Sequence, residues 1–151
     1  MRSLHQIPVS PGLGDQTLDS AREHIKAGRS VAIFPEGLIS PHEGGSHKAR
    51  SGAARLALGS GIPVIPVGIS LQREKSLRIT SGISGKKTTA WWYLHGPYMV
   101  TVGKPIRFEG NCQDREQVNH ITTQLMASIN GLAIESENRL QKFLLKRLPE
   151  N

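Results

Sequence analysis

A carboxylate set between a proline and a glycine is where the chemistry of this chain is first legible. Pro35, Glu36 and Gly37 follow directly on the apolar run Val31, Ala32, Ile33 and Phe34. Open α/β sheets hold their ligands beyond the carboxyl ends of the strands, so an apolar run ending in such a turn places Glu36 where a polar substrate would sit. Downstream, Lys48 and Arg50 stand just before Ser51 and Gly52, at the start of a small-residue segment with helical character. The free N–H groups and positive dipole end of a helix beginning there, together with the two cations, offer an anion site. The combination predicts a phosphate pocket.

The elements that would position these groups follow from patterning. Asp15 reads as an N-cap, and Leu18, Ala21 and Ile25 recur at helical spacing up to Gly28, a C-terminal stop. Ser30 to Phe34 reads as a strand apolar on both faces, as in a parallel sheet covered by helices. Ser51 can cap a helix running through Leu58 to the stop signals Gly59 and Gly61. Ile62 to Ile69, IPVIPVGI, reads as the next apolar strand, and strand, helix and strand then form one crossover unit. Pro63 and Pro66 each delete a backbone donor, and Pro66 suggests an edge, a bulge or a bend beside a site.

Shorter signals complete the chain. Ile7 to Val9 reads as a brief strand broken by Pro11, Gly12 and Gly14. Gln72 to Thr89 is polar and basic and reads as a loop with at most a short strand. WWYLH and YMVTV read as two strands joined by the Gly96–Pro97 turn. Asp114 and Gln117 have the spacing of a capping box, opening a helix whose apolar side is Val118, Ile121, Leu125, Ile129 and Leu132. The fold expected is one α/β domain over residues 1–151, three-layered, with a mostly parallel sheet flanked by helices.

Composition narrows the partners. The formal charge is +7 and the isoelectric point near 10.0 over 151 residues, which asks for phosphate groups, an acidic lipid surface or nucleic acid. No nucleic acid is expected, because the few aromatic residues are not interleaved with basic ones as a stacking platform requires. Cys112 is the single cysteine, so no internal disulfide forms and a reducing compartment is expected. No stretch is apolar for long enough to span a bilayer, and Met1 to Ser10 does not read as a secretory leader. His42 and His47 lack the partners a metal site needs and read as loop histidines. Trp91, Trp92 and Tyr93 are consecutive, so a strand would point them to alternating faces. Edge packing and contact with an acyl chain or a membrane interface are both open to them. RLQKFLLKRL can form a basic amphipathic helix with Leu140, Phe143, Leu144 and Leu148 apolar.

FPEGLIS, the basic loop after it, SGAARLA and then IPVIPVGI, in this order and spacing, resemble the third and fourth sequence blocks of the glycerolipid acyltransferase family, of the lysophosphatidate acyltransferase type. The resemblance covers residues 5–70, and VGKPIRF with the long helix after it continues it more loosely. It implies an enzyme of phospholipid biosynthesis that moves a fatty acyl group from an acyl-CoA or acyl carrier protein thioester to a lysophospholipid or glycerol-phosphate-like acceptor. It implies direct attack of the acceptor hydroxyl on the thioester, with no acyl-enzyme, no metal and no cofactor beyond the acyl-donor co-substrate. The implied place is cytoplasmic, peripheral to the inner face of the membrane, with a membrane surface as partner. By the same resemblance Glu36 and Gly37 belong to the acceptor site, with Phe34 and Pro35 beside them in the substrate-binding stretch and Phe34 expected in the core, and Pro63, Val64 and Pro66 border the acyl donor. Lys48, Arg50, Ser51 and Gly52 would supply positive charge and donors to the acceptor phosphate.

Two departures qualify what the resemblance implies. The family's catalytic signature is a histidine followed five positions later by an aspartate, the pair that would act as general base and orienting carboxylate. Five residues after His5, His24, His42, His47, His95 and His120 stand Ser10, Arg29, His47, Gly52, Val100 and Leu125. In the family this signature lies upstream of IPVSPG, so an N-terminally incomplete acyltransferase domain with little activity of its own is expected. The alternative is a non-catalytic relative that binds anionic lipid. Where the family carries two phosphate-binding arginines, Ile39 and Pro11 stand here, leaving that charge to Lys48 or Arg50.

Overall fold

The computed structural model describes residues 6–9, 12–37, 47–83 and 86–147, with the side chains of Ile83 and of residues 86–88 outside the description. Its elements are α1 (Gly14–Lys26), α2 (Gly52–Ser60), β1 (Val67–Leu71), a 3-10 turn (Arg73–Lys75), β2 (Leu77–Ile83), β3 (Lys86–Trp92), β4 (Tyr98–Val102) and α3 (Arg115–Leu145). They divide into two compact units. One comprises Met1–Ile65 with Lys104–Ser128, the other Pro66–Gly103 with Ile129–Asn151.

In the first unit α1 ends as its sequence predicts. Gly28 adopts a φ of 75°, and the last carbonyls of α1 are closed by Ala27 N–H to Glu23 and Gly28 N–H to Ile25. Its start differs by a residue or two from expectation. Leu13 holds the N-cap place, with Thr17 N–H on its carbonyl at 3.1 Å, while Asp15 lies inside the first turn, where its charge complements the helix dipole. The helix α2 stops at Gly61, which takes the left-handed conformation with φ 64° that a side chain would disfavour. Ala54 of α2 and Val118, Ile121 and Leu125 of α3 form the core, with Ala53, Leu58, Val64 and Phe108 packed against it. Val64 and Ile106 exchange both backbone hydrogen bonds at 2.8 Å in an isolated antiparallel bridge.

The capping box at α3 forms in altered shape. Asp114 Oδ1 accepts from the N–H groups of Glu116 and Gln117, at 2.9 and 3.2 Å. Gln117 Oε1 reaches back past the cap to the N–H of Asn111 at 2.6 Å.

The second unit is antiparallel. β1 pairs with β4, Val67 opposite Val102, Ile69 opposite Val100 and Leu71 opposite Tyr98. One face of this pair lies against the helix: a Cβ on Gly68 would overlap the backbone of Leu132 and Ala133. There Ser136, fully buried, donates to the Gly68 carbonyl at 3.0 Å and shares a hydrogen bond of 2.8 Å with the Thr101 hydroxyl, which also accepts from Arg139. The other face turns Val67, Ile69, Tyr98, Val100 and Val102 outward, all exposed. β2 and β3 form a separate two-stranded sheet, with Leu77 opposite Trp92 and Thr80 opposite Thr89.

The mostly parallel, three-layer sheet expected from the sequence is therefore not the fold. The described chain is a small α+β structure of helices and two antiparallel strand pairs. Ser30 to Phe34, the run that should have opened the crossover, is not a strand. A parallel strand needs neighbours to take its N–H and C=O groups, none pairs with this run among the described residues, and Ala32, Ile33 and Phe34 are exposed. IPVIPVGI is split: Val64 makes its bridge, and β1 begins only after Pro66, which has no N–H to offer a ladder. Ile7 to Val9 is irregular, and the supposed loop 72–89 supplies most of the β2–β3 hairpin. WWYLH and YMVTV do contribute strands, but to different sheets.

Candidate functional site

Phe34 to Gly37 closes a tight turn by a hydrogen bond from Gly37 N–H to the Phe34 carbonyl at 3.0 Å. Proline at the second position and glycine at the fourth are the residues such a turn favours, since Pro35 presets φ and Gly37 accepts the positive φ of 65° found there. The turn is tied to the entry of α2: Arg50 N–H donates to the Pro35 carbonyl at 2.8 Å. A Cβ on Gly37 would stand 2.9 Å from Arg50 Nε and 3.0 Å from its Cδ, so the arginine side chain lies across the glycine. The Glu36 carboxylate accepts from His47 N–H at 2.6 Å. The bend and the amino end of α2 thus meet.

At that helix start Ser51 occupies the N-cap place without a side-chain cap bond, and its carbonyl accepts Arg55 N–H at 2.9 Å. Gly52 faces Leu18 of α1, whose Cδ2 would lie 3.9 Å from an added Cβ. Lys48 is exposed beside this entry, and Phe34 is 76% exposed, a side chain on the surface and not in the core. Val64 is packed on the core cluster through its bridge, Pro63 is exposed, and Pro66, in the second unit, is buried with its carbonyl accepting Gly103 N–H at 2.9 Å. Pro11, Ile39 and His42 lie outside the described residues.

A concavity elsewhere in the first unit carries no sequence motif. Asp15, Leu18, Arg22, Arg55, Cys112 and Gln113 line a hollow of about 220 Å³ within the first unit. Arg55 Nε is buried there without a hydrogen-bond partner, whereas Arg22 is paired with Asp19 at 2.6 Å. Burying a cationic donor unpaired is costly. The only available signal was Arg55 itself, the single charged residue in GAARLALGS.

Comparison with known proteins bears on the first of these sites. Residues 1–70 match the family model described as Acyltransferase. The match bears out the resemblance carried by FPEGLIS, SGAARLA and IPVIPVGI, and the matched segment contains each candidate from Phe34 to Pro66. No curated protein and no solved structure matches the chain. The segment that resembles this family thus holds a bend clamped to a helix entry.

Proposed function

We propose that this chain works on the acceptor side of a fatty acyl transfer, holding the polar head of a lysophospholipid or glycerol-phosphate-like molecule while its hydroxyl meets an acyl-CoA or acyl carrier protein thioester. The observation that carries this reading is the junction of Glu36–Gly37 with Arg50, because it puts a carboxylate-bearing turn and a guanidinium at one helix entry. Arg50, with Lys48 nearby in sequence, would meet the phosphate, a task for which a guanidinium fork is well shaped. Glu36 would accept a hydrogen bond from an acceptor hydroxyl. In the reaction the hydroxyl oxygen forms a bond to the thioester carbonyl carbon, the C–S bond breaks, the thiol leaves, and the hydroxyl proton passes to a base. Work at a membrane face suits such lipids, and no described helix is long and apolar enough to cross a bilayer.

A second reading, binding of anionic lipid without transfer, is favoured by the histidine arithmetic: none of the six histidines has an aspartate five positions on. The two readings separate in one assay. The chain is incubated with radiolabelled acyl-CoA and lysophosphatidate, and binding of lysophosphatidate is measured in parallel by calorimetry. Binding that Arg50→Gln and Glu36→Gln weaken supports the acceptor-side site. Transfer above background, at least about 100-fold slower than by a relative carrying the His–Asp pair, supports the acyl-transfer reading, 100-fold being the low end of what a positioned general base contributes, and binding with no transfer above background supports the binding reading. Absence of lysophosphatidate binding by the chain overturns both readings.

A further inference from the structure

We propose that the hollow lined by Asp15, Leu18, Arg22, Arg55, Cys112 and Gln113 is a binding site for hydrogen phosphate, either as the free ion or as the protonated end of a phosphomonoester. Three segments of the first unit build it. Asp15, Leu18 and Arg22 come from α1, Arg55 comes from α2, and Cys112 and Gln113 come from the loop leading into α3. Gly59 stands one turn beyond Arg55 on the same face of α2. A Cβ there would lie 3.4 Å from both Nε and Nη2 of Arg22, so the glycine lets the α1 guanidinium rest against α2. The two guanidiniums are not equally answered. Arg22 pairs with Asp19 at 2.6 Å, whereas Arg55 Nε is buried without a hydrogen-bond partner.

The lining selects the occupant. Arg22, Arg55 and the Gln113 amide bring N–H donors and the Cys112 thiol a weak one, a set that calls for an oxyanion, and a guanidinium fork is shaped for phosphate. At about 220 Å³ the hollow is smaller than the roughly 300–1,000 Å³ of sites for drug-sized ligands, so it takes a compact group. Asp15 is the exception among these side chains, since an ionised carboxylate only accepts. Among the described residues it is in no ion pair. A ligand oxygen that carries a proton satisfies it, and a fully ionised one is repelled. Inorganic phosphate at neutral pH keeps a P–OH group, whereas sulfate has none. The inference stands apart from the acceptor-site reading, since it draws on none of the same residues.

Cys112 is the single cysteine of the chain, so the rate at which iodoacetamide alkylates it reports on this hollow alone. The full chain is titrated at neutral pH and constant ionic strength with inorganic phosphate, glycerol 3-phosphate and sulfate. Phosphate tenfold above its dissociation constant should slow alkylation by about tenfold, and sulfate should bind at least about tenfold more weakly. Arg55→Met removes the fork and should weaken phosphate by about tenfold or more. Asp15→Asn gains an amide donor and should bring sulfate level with phosphate. Helical circular dichroism of each variant verifies folding. Tightest protection by inorganic phosphate assigns the site to the free ion, and protection by glycerol 3-phosphate that is as tight or tighter assigns it to a phosphomonoester. No protection, equal protection by sulfate and phosphate in the unaltered chain, or protection undiminished in Arg55→Met would each overturn the proposal, the first by leaving the hollow to water.

Discussion

The main-chain N–H of Arg50 donates to the carbonyl of Pro35 at 2.8 Å, and the arginine's side chain then crosses Gly37. This one junction makes the turn and the helix entry a single structure. Glycine at position 37 is required twice, by its positive φ and by the arginine lying where a side chain would be. Gly37→Ala should cost about 1–2 kcal/mol through the left-handed backbone alone, and it should displace Arg50. The expected outcome is a lower urea midpoint together with weaker lysophosphatidate binding. Unchanged binding in a folded Gly37→Ala protein would remove Arg50 from the acceptor site.

Arg50→Gln separates charge from architecture. The backbone hydrogen bond to Pro35 survives the substitution, so stability should move by less than about 0.5 kcal/mol, as for other exposed changes. Affinity for lysophosphatidate should fall by about tenfold, reflecting the loss of one charge-assisted hydrogen bond of roughly 1.5 kcal/mol or more. Calorimetric titration of the two proteins side by side checks the difference.

Arg55 offers the opposite case. Its Nε is buried with no partner, and a donor in that state carries a penalty of about 1–3 kcal/mol. Arg55→Met, of similar reach and without the polar atoms, should therefore raise the unfolding free energy by about 1 kcal/mol. Denaturant unfolding in a phosphate-free buffer measures it. A loss of stability instead would mean that the guanidinium is engaged in the hollow it lines.

Ser136 is the polar keystone of the second unit. Its hydroxyl, fully buried on α3, joins Gly68 and Thr101, so that removing it takes a hydrogen-bond partner from each and leaves Thr101 only its bond from Arg139. Ser136→Ala should destabilise by about 1–3 kcal/mol. Hydrogen exchange should locate the loosening at β1 and β4.

The outward face of β1–β4 makes a prediction about behaviour in solution. Ile69→Thr with Val100→Thr should lower dye binding to exposed apolar surface and raise solubility, because contiguous apolar patches drive association. Threonine keeps the β-branched shape that a strand accommodates, so the pairing should persist. Light scattering across a concentration series reads the result, and unchanged association of the double variant would place the sticky surface elsewhere.

What the sequence determined by itself is the set of structures closed within a few residues. The Pro35–Gly37 turn, the stop at Gly28, the left-handed cap at Gly61 and the start of α3 at Asp114 all appeared where their residue types require, because each depends on φ preferences and hydrogen bonds between near neighbours. The resemblance of residues 1–70 to the Acyltransferase family model was legible for the same reason, from blocks in fixed order. Tertiary structure decided the rest. Whether Ile33 and Phe34 lie in a sheet, whether YMVTV pairs with WWYLH or with β1, and whether Arg50 reaches Gly37 are settled by partners far along the chain. An apolar run looks the same whether or not a neighbour arrives to take its backbone hydrogen bonds, so periodicity could name the strands but not their pairing, their direction or the face each leaves to solvent.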